Sequence, residues 1–154
     1  MSEITIAIES PDQPEVIALL DASDAYAAAL YPAESNHMAD IDSLMTPDVK
    51  FLVARLDGKI CGCVGLFQQG PDWGEIKRMY VDDTARGQSL GKQLLTALEN
   101  HARNAKLDWI RLETGIHQPE AIGLYHRAGY IDIPPYGDYL PDPVSVFMEK
   151  RLSE

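Results

Sequence analysis

Residues 86–92 read Arg-Gly-Gln-Ser-Leu-Gly-Lys, and they join a predicted strand, 74–81, to a predicted long helix, 90–106. Glycines let the backbone approach a ligand closely, and the first N–H groups of a helix have no partner inside the helix. Together with the positive charges of Arg86 and Lys92, these N–H groups form a site that attracts an anion. This stretch therefore predicts a phosphate or pyrophosphate site where a strand passes into a helix.

Length and charge limit the class of protein to which this site belongs. The chain has 154 residues, 45% of them hydrophobic and 24% charged, which is typical of a single globular domain that spans 1–154. Its net charge of −11 would repel a polyanion, so no nucleic acid partner is expected. The same negative charge favours a small cationic substrate.

The two cysteines and the N-terminus bear on location. No basic start followed by an apolar run is present, and no stretch approaches the roughly 20 apolar residues needed to cross a bilayer. We therefore expect a cytoplasmic protein, without a membrane partner, whose thiols are reduced. If 59–68 is a strand, Cys61 and Cys63 lie on one face of it.

The hydrophobic pattern predicts a single mixed sheet. Asp57-Gly58 is a strong hairpin signal between two apolar runs. Antiparallel hairpins in the first half and a strand-helix-strand crossover in the second imply a mixed, mostly antiparallel α/β sheet with helices on both faces. The predicted strands are 4–8, 49–56, 59–68, 74–81, 109–116, 130–133 and 144–152. The predicted helices are 14–30, 37–45 (capped by Ser35 or Asn36), 90–106 and 118–128.

Two other motifs overlap the phosphate loop. Residues 87–91 match G-x-S-x-G, the nucleophile elbow of serine hydrolases, with Ser89 as nucleophile and His117 or His126 as base. An elbow requires the strand to run directly into the first glycine, whereas five residues, 82–86, separate them here. A Walker loop would be one residue short. The serine hydrolase stays an alternative.

Three stretches carry a family resemblance: Glu-Ile-Lys-Arg-Met-Tyr-Val at 75–81, the loop at 86–91, and Ala-Ile-Gly-Leu-Tyr-His-Arg-Ala-Gly-Tyr at 121–130. They resemble the GNAT superfamily of acyl-CoA-dependent N-acetyltransferases, and the predicted element order matches that fold over essentially the whole chain. The resemblance implies acetyl-CoA as cosubstrate and direct transfer to a primary amine of a small molecule or peptide. Residues 136–139 and 142–150 also resemble a bacterial subgroup labelled indole-acetic-acid-linked, from which no substrate follows.

The resemblance assigns residues to coenzyme A. The pyrophosphate would lie on the loop, the pantetheine arm beside 79–81, and the thioester between the strands at 74–81 and 109–116. Ser89 replaces a glycine of the family loop, and because a positive φ strains serine, we expect Ser89 to have ordinary backbone geometry with its hydroxyl toward a phosphate. The residues assigned to the cofactor are Met79, Tyr80, Val81, Arg86, Gly87, Gln88, Ser89, Leu90, Gly91, Lys92, Gln118 and Tyr125. Capping of the last helix is the competing role for Gln118.

Acetyl transfer requires a base and an acid. An aliphatic amine is mostly protonated at pH 7, and the thiolate leaves more easily once it is protonated. By resemblance Tyr125 is the candidate acid, with core packing as the alternative. Glu75 is the candidate base, acting through water, and its alternative is a surface carboxylate paired across strands. Glu113 competes for this role, and backbone N–H groups near Met79 and Tyr80 would stabilise the oxyanion if the strand bulges there.

The acceptor site is less defined. By resemblance Asn36 and His37 wall it, although a helix cap and an exposed histidine also explain these residues. The loop that carries Tyr136 and Tyr139 is long and aromatic, and we expect it to close over the acceptor, with Glu113 nearby. No metal site is predicted, since the histidines lack companion ligands at metal-binding spacing. A homodimer and a non-catalytic acyl-CoA-binding module stay open.

Overall fold

The computed structural model describes residues 3–35, 39–85 and 89–152, which contain a seven-stranded sheet in the order β1-β2-β3-β4-β5-β7-β6. The strands are β1 (Ile4–Ile8), β2 (Val49–Leu56), β3 (Lys59–Gln68), β4 (Trp73–Val81), β5 (Trp109–Gly115), β6 (Ile131–Ile133) and β7 (Ser145–Arg151). The helices are α1 (Pro14–Leu30), α2 (Ile41–Leu44), α3 (Leu90–Asn104) and α4 (Pro119–Arg127), with 3₁₀ turns at Ala33–Ser35 and Asp83–Ala85. Within the described ranges, no helix is long and apolar enough to cross a membrane.

Helix α2 is shorter than predicted and has a different cap. It begins at Ile41, and the carboxylate of Asp40 accepts a hydrogen bond from the backbone N–H of Ser43 at 2.9 Å. A carboxylate at the N-cap satisfies one of the free N–H groups of the first turn, so the helix begins where Asp40 can do this. Ser35 instead lies in a 3₁₀ turn, and Asn36 lies outside the described residues.

Strands β4 and β5 are the parallel pair, and they separate along their length. They pair from Trp73 with Trp109 to Ile76 with Leu112. Beyond that point β4 continues to Val81 and β5 to Gly115, with no further pairing between them among these described residues. The sheet is therefore open between the carboxyl ends of its two central strands.

Apolar side chains fill both faces of the sheet. On one face α3 contributes Leu94 and Leu98 to a core with Ile110 of β5, while on the other face α1 contributes Val16 to a core with Phe51 of β2. Each such buried side chain stabilises the fold by about 1.5–3 kcal/mol relative to an exposed one. The opening between β4 and β5 is consequently flanked by α1 on one face and by α4 on the other.

The prediction that the two cysteines share one face is wrong. Ala54 pairs with Gly62 and Arg55 with Ile60, so Cys61 is an extra residue in a β-bulge. Cys61 packs into the core under α3, and Cys63 packs into the core under α1. Both thiols are free and buried, and burial raises the pKa of Cys63 to about 12.

Candidate active site

A cavity of about 180 Å³ lies at the opening between β4 and β5. Glu75 reaches it from the α1 face, because its neighbour Ile76 points into the core under α3 and side chains alternate along a strand. Tyr125 reaches it from α4, on the opposite face. The candidate acid and base therefore line one cavity from the two sides of the sheet.

Strand β4 bulges beside this cavity. Cys63 pairs with Tyr80 and Gly65 with Lys77, so two residues of β4, Arg78 and Met79, stand opposite one residue of β3. A bulge leaves a backbone group outside the ladder of the sheet. The strand therefore bulges where backbone N–H groups near Met79 and Tyr80 were predicted to stabilise an oxyanion, and both residues line the cavity.

Arg78 holds this bulge in a left-handed conformation. Its φ is 62°, which costs a non-glycine residue roughly 1–2 kcal/mol. The guanidinium, with only 3% of the side chain exposed, donates to Asp24 Oδ1 at 2.6 Å and to the carbonyl of Leu20 at 3.2 Å. These bonds tie α1 to the bulge and offset the strain, and no sequence signal had pointed to this role of Arg78.

Asp24→Ala is expected to loosen this anchor. Without the carboxylate, the buried guanidinium loses a charged partner, which lowers the free energy of unfolding by about 1–3 kcal/mol. Asp21→Ala, at an exposed position on the same helix, serves as the control and should change stability little. Chemical denaturation of the two variants measures the difference, and equal stabilities would contradict the anchor.

Glu75 is buried rather than exposed, so the surface-carboxylate alternative is wrong. Its Oε2 accepts hydrogen bonds from the hydroxyls of Tyr136 and Tyr139, both at 2.7 Å, and its Oε1 accepts from Gln69 Nε2 at 3.0 Å. Lys77 Nζ lies 3.9 Å from Oε2 and donates to the Tyr139 hydroxyl at 3.0 Å. Hydrogen bonds to an ionised group are stronger than neutral ones, which compensates for the burial of this carboxylate.

Tyr136 and Tyr139 bring the loop 134–143 onto the α1 face of the sheet. The ring of Tyr136 makes edge contacts with Trp73 and Phe147, each at 5.7 Å between ring centres. Burial, and then the negative charge of Glu75, raise the pKa of both tyrosines, so they remain protonated donors. A second cavity of about 870 Å³, here called the outer cavity, lies beneath this loop. Three residues, Glu75, Lys77 and Tyr139, line both this cavity and the one between β4 and β5.

Tyr125 both packs and faces the cavity. Its ring meets Tyr130 edge-on at 5.6 Å within the core under α3 and α4, and burial raises the pKa of its hydroxyl above the ordinary value. Gly91 of α3 faces Leu124 of α4, and a Cβ at position 91 would lie 3.2 Å from Leu124 Cδ2, tighter than most such contacts. Gly91 therefore has a packing role that the sequence did not reveal.

Ser89 contradicts its predicted geometry. Its φ and ψ are 59° and 28°, in the left-handed region, and its side chain makes no capping hydrogen bond. The next residue, Leu90, is buried in the core under α3. The predicted phosphate ligands Arg86, Gly87 and Gln88 lie outside the described residues.

The other residues that the resemblance assigns to coenzyme A differ in how far they are buried. Leu90 is buried, which leaves its backbone rather than its side chain for a ligand, whereas Lys92 is exposed. Met79 and Tyr80 line the cavity, and Val81 packs against the core under α3. Their contact with coenzyme A stays a prediction.

Gln118 occupies the N-cap position of α4, but its side chain makes no capping hydrogen bond. Its side chain instead accepts a hydrogen bond from the Tyr31 hydroxyl at 3.1 Å, and this hydroxyl also accepts from the backbone N–H of His117 at 3.2 Å. Tyr31 lies across Gly115, where a Cβ would overlap its hydroxyl. Tyr31 thus closes one end of the cavity, and the sequence analysis missed it.

Of the other residues predicted to lie near the acceptor, the structure describes Glu113 but not Asn36 or His37. Glu113 lines the cavity and accepts a hydrogen bond from Ser145 Oγ at 2.7 Å, while Arg111 pairs with Glu149 at 3.0 Å. Asn36 and His37 lie outside the described residues. Over the three described ranges, no three His, Cys, Asp or Glu side chains gather in a group that could hold a metal ion.

The sheet is open between β4 and β5, β4 bulges there, and a tyrosine and a carboxylate line the opening from its two faces, which is the arrangement predicted for acyl transfer. Residues 16–130 match the family model described as the acetyltransferase (GNAT) family. The chain belongs to this family and is an acetyl-CoA-dependent N-acetyltransferase, which confirms the resemblance, the fold and the cosubstrate. Neither the serine hydrolase nor the non-catalytic module gains support.

Individual relatives agree with this assignment. The chain is 47% identical over 154 residues to the IAA acetyltransferase of Azospirillum brasilense, across 99% of this chain and 100% of that one. It is 41% identical to the solved structure of a putative acyl-CoA N-acyltransferase from Klebsiella pneumoniae, with a TM-score of 0.85 over 97% and 98% of the two chains. An aminoglycoside 6'-N-acetyltransferase complexed with coenzyme A shares the fold, with a TM-score of 0.75 at 17% identity over 97% and 98%.

Proposed function

We infer that the chain transfers the acetyl group directly from acetyl-CoA to a primary amine of a small molecule or peptide while both are bound. The observation that carries this proposal is the placement of Glu75 and Tyr125 on one cavity, from opposite faces of the sheet, where β4 and β5 separate. Two substrates can approach each other through such an opening from the two faces. A covalent enzyme intermediate is therefore unnecessary.

The residues divide the chemistry between them. Glu75 removes the proton that would otherwise keep the acceptor amine from attacking the carbonyl. Backbone N–H groups at the bulge near Met79 and Tyr80 stabilise the oxyanion that develops on the carbonyl oxygen. Tyr125 donates its proton to the departing sulfur, and the N–H groups from 87 to 92 hold the pyrophosphate at the start of α3.

The burial of Tyr125 is compatible with this role. Burial raises the pKa of the Tyr125 hydroxyl, so the proton stays in place until a strong acceptor forms beside it. Burial in the same cavity also disfavours a free thiolate, so the departing sulfur is a strong acceptor for this proton.

Charge supports a cationic acceptor of small size. The net charge of −11 attracts amines, and the outer cavity beneath the loop 134–143 is large enough for a small molecule or a peptide end. Which amine the enzyme takes is a question for a screen. The homodimer and the cytoplasmic location stay predictions.

Direct transfer is tested by two measurements on the same preparation. Acetyl-CoA with a panel of primary amines should release free thiol, and initial rates with the best amine should give intersecting double-reciprocal lines. Mass spectrometry of the enzyme with acetyl-CoA alone should find no stoichiometric acetylation. A burst of acetylated enzyme with parallel lines would contradict direct transfer.

A further inference from the structure

Glu75 lines both cavities, but other side chains already contact both of its carboxylate oxygens. Only 4% of its side chain is exposed, and its two oxygens contact Gln69, Tyr136 and Tyr139, with Lys77 Nζ 3.9 Å from Oε2. A general base must come within hydrogen-bond distance of the proton that it removes, directly or through one intermediate group. The side chains around Glu75 are therefore the first candidates for carrying that proton.

Tyr136 and Tyr139 contact Glu75 equally but occupy different places. Each hydroxyl donates to the same oxygen, Oε2, at 2.7 Å. Both side chains line the outer cavity. Among the described residues, Tyr139 also lines the cavity at the opening between β4 and β5, whereas Tyr136 does not. Of the two tyrosines, Tyr139 is therefore the one that, with Glu75 and Lys77, lines both the space for the acceptor and the space for the thioester.

A primary amine already lies against Tyr139. Lys77 Nζ donates to the Tyr139 hydroxyl at 3.0 Å and lies 5.6 Å from the centre of its ring. A phenolic hydroxyl both donates and accepts hydrogen bonds. The contact with Lys77 Nζ shows that a cationic nitrogen can donate to this oxygen while the hydroxyl donates to Glu75.

We propose that Tyr139 is a further catalytic residue, which relays the proton of the acceptor amine to Glu75. The proposal rests on the proposed function, in which Glu75 is the base. An N–H bond of the acceptor ammonium breaks and its proton passes to Tyr139 Oη, while the original O–H bond of Tyr139 breaks in concert and its proton passes to Glu75 Oε2. The electron pair left on the nitrogen then forms the C–N bond, and the electrons of the C–S bond leave with the sulfur, which takes the proton of Tyr125. The second proton that the nitrogen loses as the amide forms restores Tyr125.

The relay leaves Tyr139 neutral before and after each turnover. Glu75 holds the proton until it passes to water, so no oxidant or further reactant is needed. Burial and the negative charge of Glu75 raise the pKa of Tyr139, so that a free phenolate does not accumulate. Tyr139 is consequently suited to pass a proton on rather than to keep one.

The chain offers a matched pair of variants to test this. Tyr139→Phe should lower kcat by about 10²-fold, the usual contribution of a positioned acid–base group. Tyr136→Phe removes an equally short bond to the same oxygen but leaves the relay intact, so its kcat should fall much less. The midpoints of thermal unfolding, measured for both variants, should fall by similar amounts.

The outcomes separate the relay from a structural role. Equal losses of kcat in the two variants would mean that the tyrosines only hold Glu75, and an unchanged kcat in Tyr139→Phe would equally overturn the relay. A double variant of Glu75→Gln and Tyr139→Phe should be no slower than Glu75→Gln alone, because the residues act as a unit. Wild-type kcat in Glu75→Gln would instead remove the base of the proposed function, whatever Tyr139→Phe does.

Discussion

Glu75→Gln is expected to lower kcat by about 10² to 10⁴-fold, the range in which positioned acid–base groups contribute. Glutamine has nearly the same shape and its amide oxygen can still accept from Tyr136 and Tyr139, so the loop 134–143 should stay in place. The amide cannot take up a proton at neutral pH. A loss of turnover would therefore show that the base is missing. Steady-state rates at saturating amine concentration measure this loss of kcat.

Glu113→Gln is the matched control for this prediction. Glu113 lines the same cavity from the neighbouring strand and accepts a hydrogen bond from Ser145, so it competes with Glu75 for the role of base. We expect a clearly smaller loss of kcat in Glu113→Gln than in Glu75→Gln. The reverse order would transfer the role to Glu113.

Tyr125→Phe is expected to lower kcat by about 10²-fold, because the thiolate then leaves without a proton donor. The ring still fills its place in the core under α3 and α4, so the KM for acetyl-CoA should change little. Rates of thiol release as a function of acetyl-CoA concentration separate the two constants. A drop confined to kcat is the signature of a group that acts in the transition state.

Tyr130→Phe controls for the loss of a buried hydroxyl in the same core. Its ring is 5.6 Å from that of Tyr125, and its hydroxyl donates to the buried Glu99 at 2.9 Å. Removal of this bond should lower stability by about 1.5–3 kcal/mol, as expected for a bond to a charged group, with turnover largely retained below the unfolding transition. Wild-type turnover in Tyr125→Phe would end its assignment as the acid.

Elements with a strong local pattern could be predicted from the sequence. Asp57 and Gly58 both have positive φ, 52° and 85°, which is the geometry that an Asp-Gly hairpin turn requires. Helices α1 and α3 begin at the predicted residues, since Pro14 starts the first and the apolar stripe from Leu90 defines the second. In these segments the local preference of the chain and the packing of the core agree.

Bulges and long-range contacts could not be predicted in this way. The extra residues at Cys61 and at Arg78 shift the register only relative to a partner strand, which a single segment does not reveal. The hydrogen bonds of Tyr136 and Tyr139 to Glu75 join residues 61 and 64 positions apart, so the sequence identified all three residues but not their contact.

A structure of the enzyme with coenzyme A tests the central claim most directly, since the claim is that β4 and β5 separate to receive the reacting end of the cofactor. We predict that the thiol lies in the opening between these strands, within hydrogen-bond distance of Tyr125 Oη, with the pyrophosphate at the start of α3. A cofactor bound with its thiol outside this opening, or with Tyr125 turned away from the sulfur, would contradict the account.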